Sequence, residues 1–417
     1  MADKIKLGVY GAGRGEHLVA SAEVNGFELT AICDRSEPLL RRAKKKYGDR
    51  HIAFYRDYDE FLAHDFDAVI VANYATEHAD AVIKALASGR HVMSECMAMF
   101  TMAEGVRLVE AVERYGKVYF FAENYPFMRQ NLEMARLYQS GDMGRFLYGE
   151  GEYIHPATVD QRVSLMSGPE HWRSWLPVTY YCTHSMGPVM LITGTMPVQV
   201  NGLIVPHDYD DVHQNGLGSI KMDDCMSILM CTMDNGALAK IMPCAKLKDH
   251  GNRCRICCNK GSMEWGQGHD GILRVHREPF DCPEGTAPNA CYHPGWPEGF
   301  EDAGSQGHGG GDYFTTYYFA QAIREGSKPK IDVYMATAMT AIGIQGYKSA
   351  LQGGVPMEVP DFRKPEVRDR YRHDEWNPDP ARHREGYPPS SVLGKIDVSD
   401  ESLAIFAAKR KAYEERL

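Results

Sequence analysis

Gly11-Ala12-Gly13-Arg14-Gly15 stands between an apolar run, Ile5-Lys6-Leu7-Gly8-Val9-Tyr10, and a stretch with helical spacing through Leu18, Val19 and Ala22. A strand that turns on glycines into a helix leaves backbone N–H groups free at the helix start, and these bind a pyrophosphate. Gly11 makes the turn tight, and Gly13 lets phosphates approach the backbone. The third glycine of the usual GxGxxG spacing falls one place early, at Gly15, with Glu16 in its expected position. A second strand, 27–33, ends on Asp34. An acid about twenty residues past the glycines accepts from both ribose hydroxyls of a dinucleotide. That favours NAD over NADP. Arg35 could instead meet a 2′-phosphate, so NADP stays open. The alternative for the whole stretch is an ordinary turn before a helix, with Asp34 a surface acid. The combination of strand, helix and acid disfavours it.

The elements that must position these residues alternate. Glu37–Tyr47 has helical spacing with basic residues at its C-terminal end, which suits the helix dipole. Asp59–His64 reads as a short helix, and Ala68–Ala72 as a strand buried on both faces. Glu77–Ser88 is a helix ended by Gly89, and His91–Met93 is a strand. Met102–Tyr115 is a helix stopped by Gly116, and Val118–Phe121 is again a strand. This order predicts a Rossmann domain with a doubly wound parallel sheet over residues 1–124. In such sheets ligands bind beyond the carboxyl ends of the strands. Asn73, Glu95 and Glu123 all stand just past strand ends.

After Glu123 the rhythm changes. Phe127–Ser140 is helical, and Arg145–His155 alternates like a long strand. Strand-like runs follow at 198–205, 225–233, 237–242, 253–258, 262–265 and 272–275, several joined by short turns such as Asp234-Asn235-Gly236. They predict a second, α+β domain over 125–362, with a large, mostly antiparallel open sheet for substrate binding and oligomerisation. Asp312–Glu325 and Val333–Gly353 read as helices covering one face. Arg363–Pro389, rich in charge and proline, reads as an extended segment on the surface. Ser402–Leu417 reads as an amphipathic helix, so 363–417 forms a tail packed on the body.

Of the 417 residues, 44% are hydrophobic and 24% charged, as in an ordinary soluble globular protein. A net charge of −10 argues against nucleic acid or an anionic membrane as partner. No apolar run has bilayer length, and the chain enters its first strand at once, so neither a membrane span nor a signal peptide is expected. An odd set of 11 cysteines fits a reducing cytoplasm. Cys254, Cys257 and Cys258 cluster, but they lack a well-spaced second pair for zinc and read as strand residues. His207, Asp208, Asp210, Asp211 and His213 read as a solvated acidic loop. No metal is expected.

Several short motifs, in order, resemble the Gfo/Idh/MocA oxidoreductases. They are Gly11-Ala12-Gly13, Asp34, the strand from Asp67 to Ala72 with His78, and Gly89-Arg90-His91-Val92. The resemblance spans about residues 4 to 360 and is dense in the first 125. Ordinary members carry Glu-Lys-Pro after the last of these strands, and their lysine assists proton transfer. Here the triplet is Glu95-Cys96-Met97. Later motifs resemble one branch that also lacks the lysine, the NAD-dependent glycosidases of glycoside hydrolase family 109. They are Glu123-Asn124-Tyr125, Gly149 to His155, Tyr181 to Pro188, Gly307 to Asp312, and Ile331-Asp332-Val333-Tyr334.

The resemblance implies a tightly held, recycled NAD⁺ that accepts hydride from C3 of a sugar. The ketone acidifies the C2 proton, the aglycone leaves C1 by elimination, water adds, and the hydride returns. A base is needed near the C3 hydroxyl, and a neutral histidine serves near pH 7. His184 is the candidate, with Tyr153 and Tyr181 for proton transfer at C2 and C1, and Glu123 to position sugar or nicotinamide. Arg173 would grip a polar substituent such as an acetamide carbonyl, beside Trp172, with His308 shaping a loop near the pocket. The expected cofactor set is Gly11, Ala12, Gly13, Arg14, Gly15, Asp34, Arg35, Asn73, His78, Glu95, Cys96 and Asn124. Each functional candidate has a plain structural alternative: His184 and Glu123 as helix caps, Tyr153 and Tyr181 as core aromatics, Arg173 stacked on Trp172 at the surface. Three functions stay in play. They are an NAD-dependent glycosidase for an N-acetylhexosaminide such as an α-N-acetylgalactosaminide, a sugar 3-dehydrogenase or 3-keto-sugar reductase, and a non-catalytic sensor. Ser185-Met186 and the short loop between His155 and Trp172 would reshape the pocket rim.

Overall fold

The structure is a computed structural model that describes residues 3–207, 217–247, 250–266 and 271–417. Six short strands, apolar on both sides, build the first sheet. They are β1 (Ile5–Tyr10), β2 (Phe27–Cys33), β3 (Ala53–Tyr55), β4 (Ala68–Val71), β5 (His91–Ser94) and β6 (Tyr119–Phe121). Their order is β3-β2-β1-β4-β5-β6, and every neighbouring pair is parallel. Leu7, Val9, Ile32, Val69, Val71, Val92 and Phe120 are wholly buried, as strands covered by helices on both faces require. The strand order reverses between β1 and β4, and a crevice opens at their carboxyl ends. The doubly wound parallel sheet expected from the sequence is therefore present. β3 was not anticipated, since three residues carry too little pattern to reveal a strand.

The second sheet has nine strands. They are β7 (Phe146–Ile154), β8 (Pro197–Val205), β9 (Met226–Met233), β10 (Leu238–Cys244), β11 (Gly251–Cys258), β12 (Gly261–Gly266), β13 (Leu273–Arg277), β14 (Asn289–Tyr292) and β15 (Met357–Glu358). The order is β14-β13-β12-β11-β7-β10-β9-β8-β15, antiparallel throughout except where β7 meets β10. It is the mostly antiparallel sheet expected. Cys254, Cys257 and Cys258 lie on β11 as free thiols. Of the acidic stretch, His207 is buried, and its ring Nδ1 lies 2.6 Å from the Asp223 carbonyl oxygen. Asp208, Asp210, Asp211 and His213 lie outside the described residues.

Glycines set how closely helices lie on this sheet. The helix Thr183–Thr193 crosses β7 at Gly151, where a Cβ would stand 1.9 Å from the Ser185 carbonyl oxygen. The helix Val333–Leu351 crosses β8 at Gly202, where a Cβ would stand 2.0 Å from the Gly346 carbonyl oxygen. That helix also reaches the first sheet's side of the molecule, where Thr340 Oγ1 accepts from the Ala98 amide at 3.3 Å. It is buried on most of its surface, which explains why its sequence shows little amphipathic contrast.

Two expectations are corrected. Residues 363–389 are not wholly extended. They contain the helix Pro365–Tyr371, whose Arg368 pairs with Glu113 at 2.7 Å, while the following Arg372 pairs with Glu110 at 2.8 Å. The stretch between His155 and Trp172 is not a short loop. It holds the helix Val159–Leu165, whose Thr158 and Gln161 form a capping box. The helix Asp400–Glu414 packs on it, and Phe406 shares a small core with Val163, Met166 and Ile220. The helix Val159–Leu165 carried a capping box in its sequence, whereas the helix Pro365–Tyr371, after Lys364, had no capping side chain and only a proline at its start.

Replacing Gly151 by alanine is expected to push the Thr183–Thr193 helix off the sheet. Chemical unfolding should register a loss of about 1–3 kcal/mol, the usual range for overpacking.

Candidate functional site

A cleft of about 690 Å³ runs from the glycine turn to the C-terminal helix. At its first end Gly11 holds φ +102°, and a Cβ there would lie 2.2 Å from the Ala72 carbonyl oxygen. Only glycine fits this turn. Gly13 has nothing nearer than Leu39 at 3.9 Å, which leaves room for a phosphate. Gly15 takes over close helix–strand packing, since a Cβ would stand 2.6 Å from Val9 Cγ1. Glu16 replaces a glycine because Arg42 and Lys46 meet its buried carboxylate at 2.9 and 2.8 Å.

Asp34 is buried at the end of β2, and its oxygens accept from the Ala12 and Ser36 amides, each at 2.7 Å. Burial raises its carboxyl, and those two amides offset part of the effect. Arg35 is paired with Glu77 at 3.0 Å and stacked on Tyr74. The Asn73 and Asn124 side-chain oxygens are buried without a partner. Unmade hydrogen bonds of this kind are costly, and they suit a polar ligand along the cleft. His78 is buried, with its ring nitrogens 2.9 and 3.3 Å from the Met97 and Asn73 carbonyl oxygens, so it holds two cofactor-side loops together. The residues present fit a dinucleotide.

Arg14 departs from the pattern of a free loop residue. Its guanidinium donates to Glu95 at 2.8 Å and, in a fork, to Asp312 at 3.0 and 2.6 Å. Asn124 and His308 meet the same Asp312 carboxylate, each at 2.9 Å. Burial alone would raise Asp312, but the hydrogen bonds of His308 and Arg14 hold it well below the usual carboxylate range. The structure thus joins His308 to the glycine-turn side and not to Arg173 and Trp172.

Midway along the cleft, His184 and Glu123 meet. His184 sits in the first turn of its helix, and Glu123 follows β6. The His184 Nδ1 lies 2.7 Å from Glu123 Oε1, and Glu123 is wholly buried. Glu123 therefore stands behind His184, not at the mouth of the sheet where it would touch sugar or nicotinamide directly. Burial would raise its carboxyl, yet the charge and hydrogen bond of His184, with Thr183 and Cys96, hold it below the usual range. An ionised Glu123 takes the Nδ1 proton as partner and leaves Nε2 as the basic nitrogen. The Cys96 thiol, pushed up by burial, donates to Glu123 Oε2 at 3.3 Å. It occupies the place of the missing lysine.

Tyr153, Tyr181 and Tyr125 surround His184, with ring centroids 4.7, 5.5 and 4.6 Å from the imidazole. Burial raises the Tyr153 phenol well above its ordinary value, so it stays protonated. Arg173 pulls the other way, but burial outweighs it. Tyr181 Oη accepts from Arg173 Nη1 at 3.1 Å, and Arg173 also stacks on Trp172 at 4.2 Å. So Arg173 does stack on Trp172, but inside the cleft.

The cleft also brings in Tyr125, His155, His171, Lys221 and His250. Tyr125 and His155 lay inside motifs already quoted from the sequence. Lys221 carried no signal, because its position depends on how the chain folds back beside the helix Val159–Leu165.

Residues 5–123 match the model of an oxidoreductase family with an NAD-binding Rossmann fold, and residues 288–369 match that of the glycosyl hydrolase 109 C-terminal domain. A glycosyl hydrolase family 109 protein from Saccharopolyspora erythraea is 25% identical over 398 residues, covering 87% of this chain and 84% of that protein. Another from Streptomyces niveus is 26% identical, covering 87% and 78%. Among solved structures, a levoglucosan dehydrogenase complexed with NADH and levoglucosan shares the fold with a TM-score of 0.70 at 18% identity, covering 86% of this chain and all of that one. The myo-inositol 2-dehydrogenase of Lactobacillus plantarum does so at 0.66 and 17%, with the same coverage. The chain shares its fold with the Gfo/Idh/MocA oxidoreductases, its N-terminal part matches an NAD-binding family model, and the two family matches together indicate an NAD-dependent enzyme. The resemblance to glycosyl hydrolase family 109 is likewise borne out.

Asp34→Ala should weaken NAD binding about 100-fold by calorimetry, since it removes charge-assisted hydrogen bonds worth about 1.5–3 kcal/mol each. Unchanged affinity would remove Asp34 from the ribose site.

Proposed function

We propose that the protein hydrolyses a glycoside by transient oxidation at C3, elimination across C1–C2, water addition and re-reduction. An N-acetylhexosaminide, such as an α-N-acetylgalactosaminide, is the substrate suggested by the family resemblance. The observation that carries this reading is the buried Glu123–His184 pair, aimed into a tyrosine-walled cleft where the usual lysine is absent. Tightly held nicotinamide supplies a reversible hydride acceptor there.

The chain's own residues move the protons. His184 Nε2 takes the C3 hydroxyl proton, and Glu123 holds the ring and stabilises the imidazolium that forms. Tyr181, held by Arg173, moves the C2 proton, and the protonated Tyr153 donates to the departing oxygen at C1. Asn73, Asn124 and Asp34 hold the coenzyme, and Trp172 flanks the sugar.

Net oxidation to a 3-keto sugar is the rival outcome, and a silent sugar sensor is another. Eleven free cysteines support a cytoplasmic setting, and no helix among the described residues is long and apolar enough to cross a membrane. Exposed Leu147, Val198, Leu203 and Leu238 on the second sheet support a homo-oligomer.

Denatured protein should release NAD(H), and native protein should release aglycone from aryl glycosides without added cofactor, with deuterium entering C2 in heavy water. Stoichiometric NADH with no bond cleavage would establish the dehydrogenase instead, and inertness to a broad panel the sensor.

His184→Ala should keep its NAD and lose turnover. Glu123→Gln should lower kcat by about 10²–10⁴, leave KM nearly unchanged and alter the pH profile, because an amide cannot stabilise the imidazolium in the same way. Wild-type kcat in Glu123→Gln would sink the assigned pair.

A further inference from the structure

Charge is distributed unevenly along the cleft. Among the described residues lining the part beyond His184, Arg173, Lys221 and Arg410 are cationic, as is Arg162, which has a partner of its own, and Asp223 alone is acidic. The protein as a whole carries −10, so this concentration of positive charge is local. Arg410 is matched by Glu414 at 2.7 Å. Asp223 is shared between Lys221 at 2.8 Å and Lys246 at 3.9 Å. Both lysine side chains are almost completely buried, with 9% and 3% exposure. No carboxylate among the described residues pairs with Arg173. Its guanidinium meets only the Tyr181 hydroxyl and the faces of Trp172 and Tyr181. Lys221 Nζ donates to the Arg173 backbone carbonyl, and both residues line the same part of the cleft.

Among the described residues, two lysines share one carboxylate beside an arginine with none, which leaves an excess of positive charge in a poorly hydrated place. Such an excess is costly until an anion arrives. The neighbouring imidazoles register it. His171 is pushed down to about 2, first by burial and then by Arg173, Arg35, Arg410 and Lys221. Lys221 itself is lowered to about 8, by burial and by Arg162 and Lys246 against the pull of Asp223.

We propose that the sugar this cleft accepts carries an oxyanion substituent, a carboxylate or a sulfate ester, seated between Arg173 and Lys221. The inference builds on the glycoside reading above and names the charge of its substrate. A neutral acetamide would use one donor of Arg173 and leave the third N–H of Lys221, beyond those on Asp223 and the Arg173 carbonyl, without a charged acceptor. An oxyanion accepts from both, and a guanidinium fork matches its paired oxygens. The attraction is strengthened because the cleft walls exclude water.

The test compares matched ligands on the NAD-loaded protein by calorimetry at low salt. One pair is methyl galactoside and methyl galacturonide, and the other is methyl N-acetylgalactosaminide and its 6-sulfate. The anionic member of at least one pair should bind about tenfold tighter or better, as one added charge-assisted hydrogen bond implies, and which pair responds separates carboxylate from sulfate. Added salt should narrow the gap. Arg173→Gln and, separately, Lys221→Met should each reduce it severalfold. If Lys221→Met does not fold, the wild-type pairs and Arg173→Gln still decide. Neutral ligands binding as well as their anionic partners would overturn the inference. So would NADP binding more tightly than NAD together with no sugar preference, since the cations would then serve the coenzyme. Anionic preference without aglycone release sinks the glycosidase reading and leaves this one standing. Cleavage confined to neutral glycosides does the reverse.

Discussion

A carboxylate with no access to water holds one nitrogen of an imidazole whose other nitrogen faces a cleft. That contact between Glu123 and His184 constrains much of the molecule. Glu123 belongs to the end of the parallel sheet, and His184 to a helix lying on the antiparallel one. Their 2.7 Å separation can exist only if the two sheets are held at one spacing. The helix reaches that spacing because β7 presents Gly151 beneath Ser185. Gly187 gives the glutamate room, since a Cβ there would stand 2.8 Å from Glu123 Cγ. A buried carboxylate without a partner would be costly, so the same contact that prepares a base also keeps Glu123 ionised.

A second polar knot ties the glycine turn to the helix Gly311–Glu325. Arg14 reaches across from the phosphate-binding loop to Asp312, and Asn124 and His308 close on the same carboxylate. Asp312 is buried and held ionised, so this knot resists opening over a wide range of pH: its contribution is complete above the ordinary carboxylate pKa and is lost only as pH falls through the lowered value. Both knots join residues of the first 125 to residues of the later chain. The site is therefore an interface between two folding patterns, with a glycine-turn half that fits a dinucleotide and a half walled by aromatic and cationic side chains.

Local pattern carried a great deal of this. The apolar run Ala68–Ala72, the glycine turn and Asp34 are contiguous signals with a fixed period, and each corresponds to an element found. The alternation in β7 to β13 was similarly visible. Contacts across long stretches of sequence were less legible. Nothing local says that Glu123 will lie behind His184, since that depends on where a helix 61 positions later settles. Tyr153 illustrates the same point. Its type suggested a tunable acid or base, but burial decides its protonation, and burial belongs to the packed molecule. Lys221 was invisible for a related reason: a lysine in a polar stretch looks solvated until packing seats its ammonium on Asp223 and the Arg173 carbonyl.

The two departures from family pattern turn out to be coherent with their surroundings. Glu16 in place of a glycine is neutralised by Arg42 and Lys46, while Gly15 performs the close packing one residue earlier. Cys96 in place of a lysine is the more consequential change. A lysine there would set an ammonium against Glu123 and compete with His184 for it. A thiol kept protonated by burial donates one weak hydrogen bond and leaves the carboxylate's charge to the imidazole. Proton-transfer capacity is thereby concentrated on the histidine side of the cleft, where the tyrosines and Arg173 stand. Loss of the lysine and gathering of aromatic hydroxyls around His184 are two parts of one rearrangement, because removing a strong cation from one wall gives the imidazole on the other the stronger claim on the buried carboxylate.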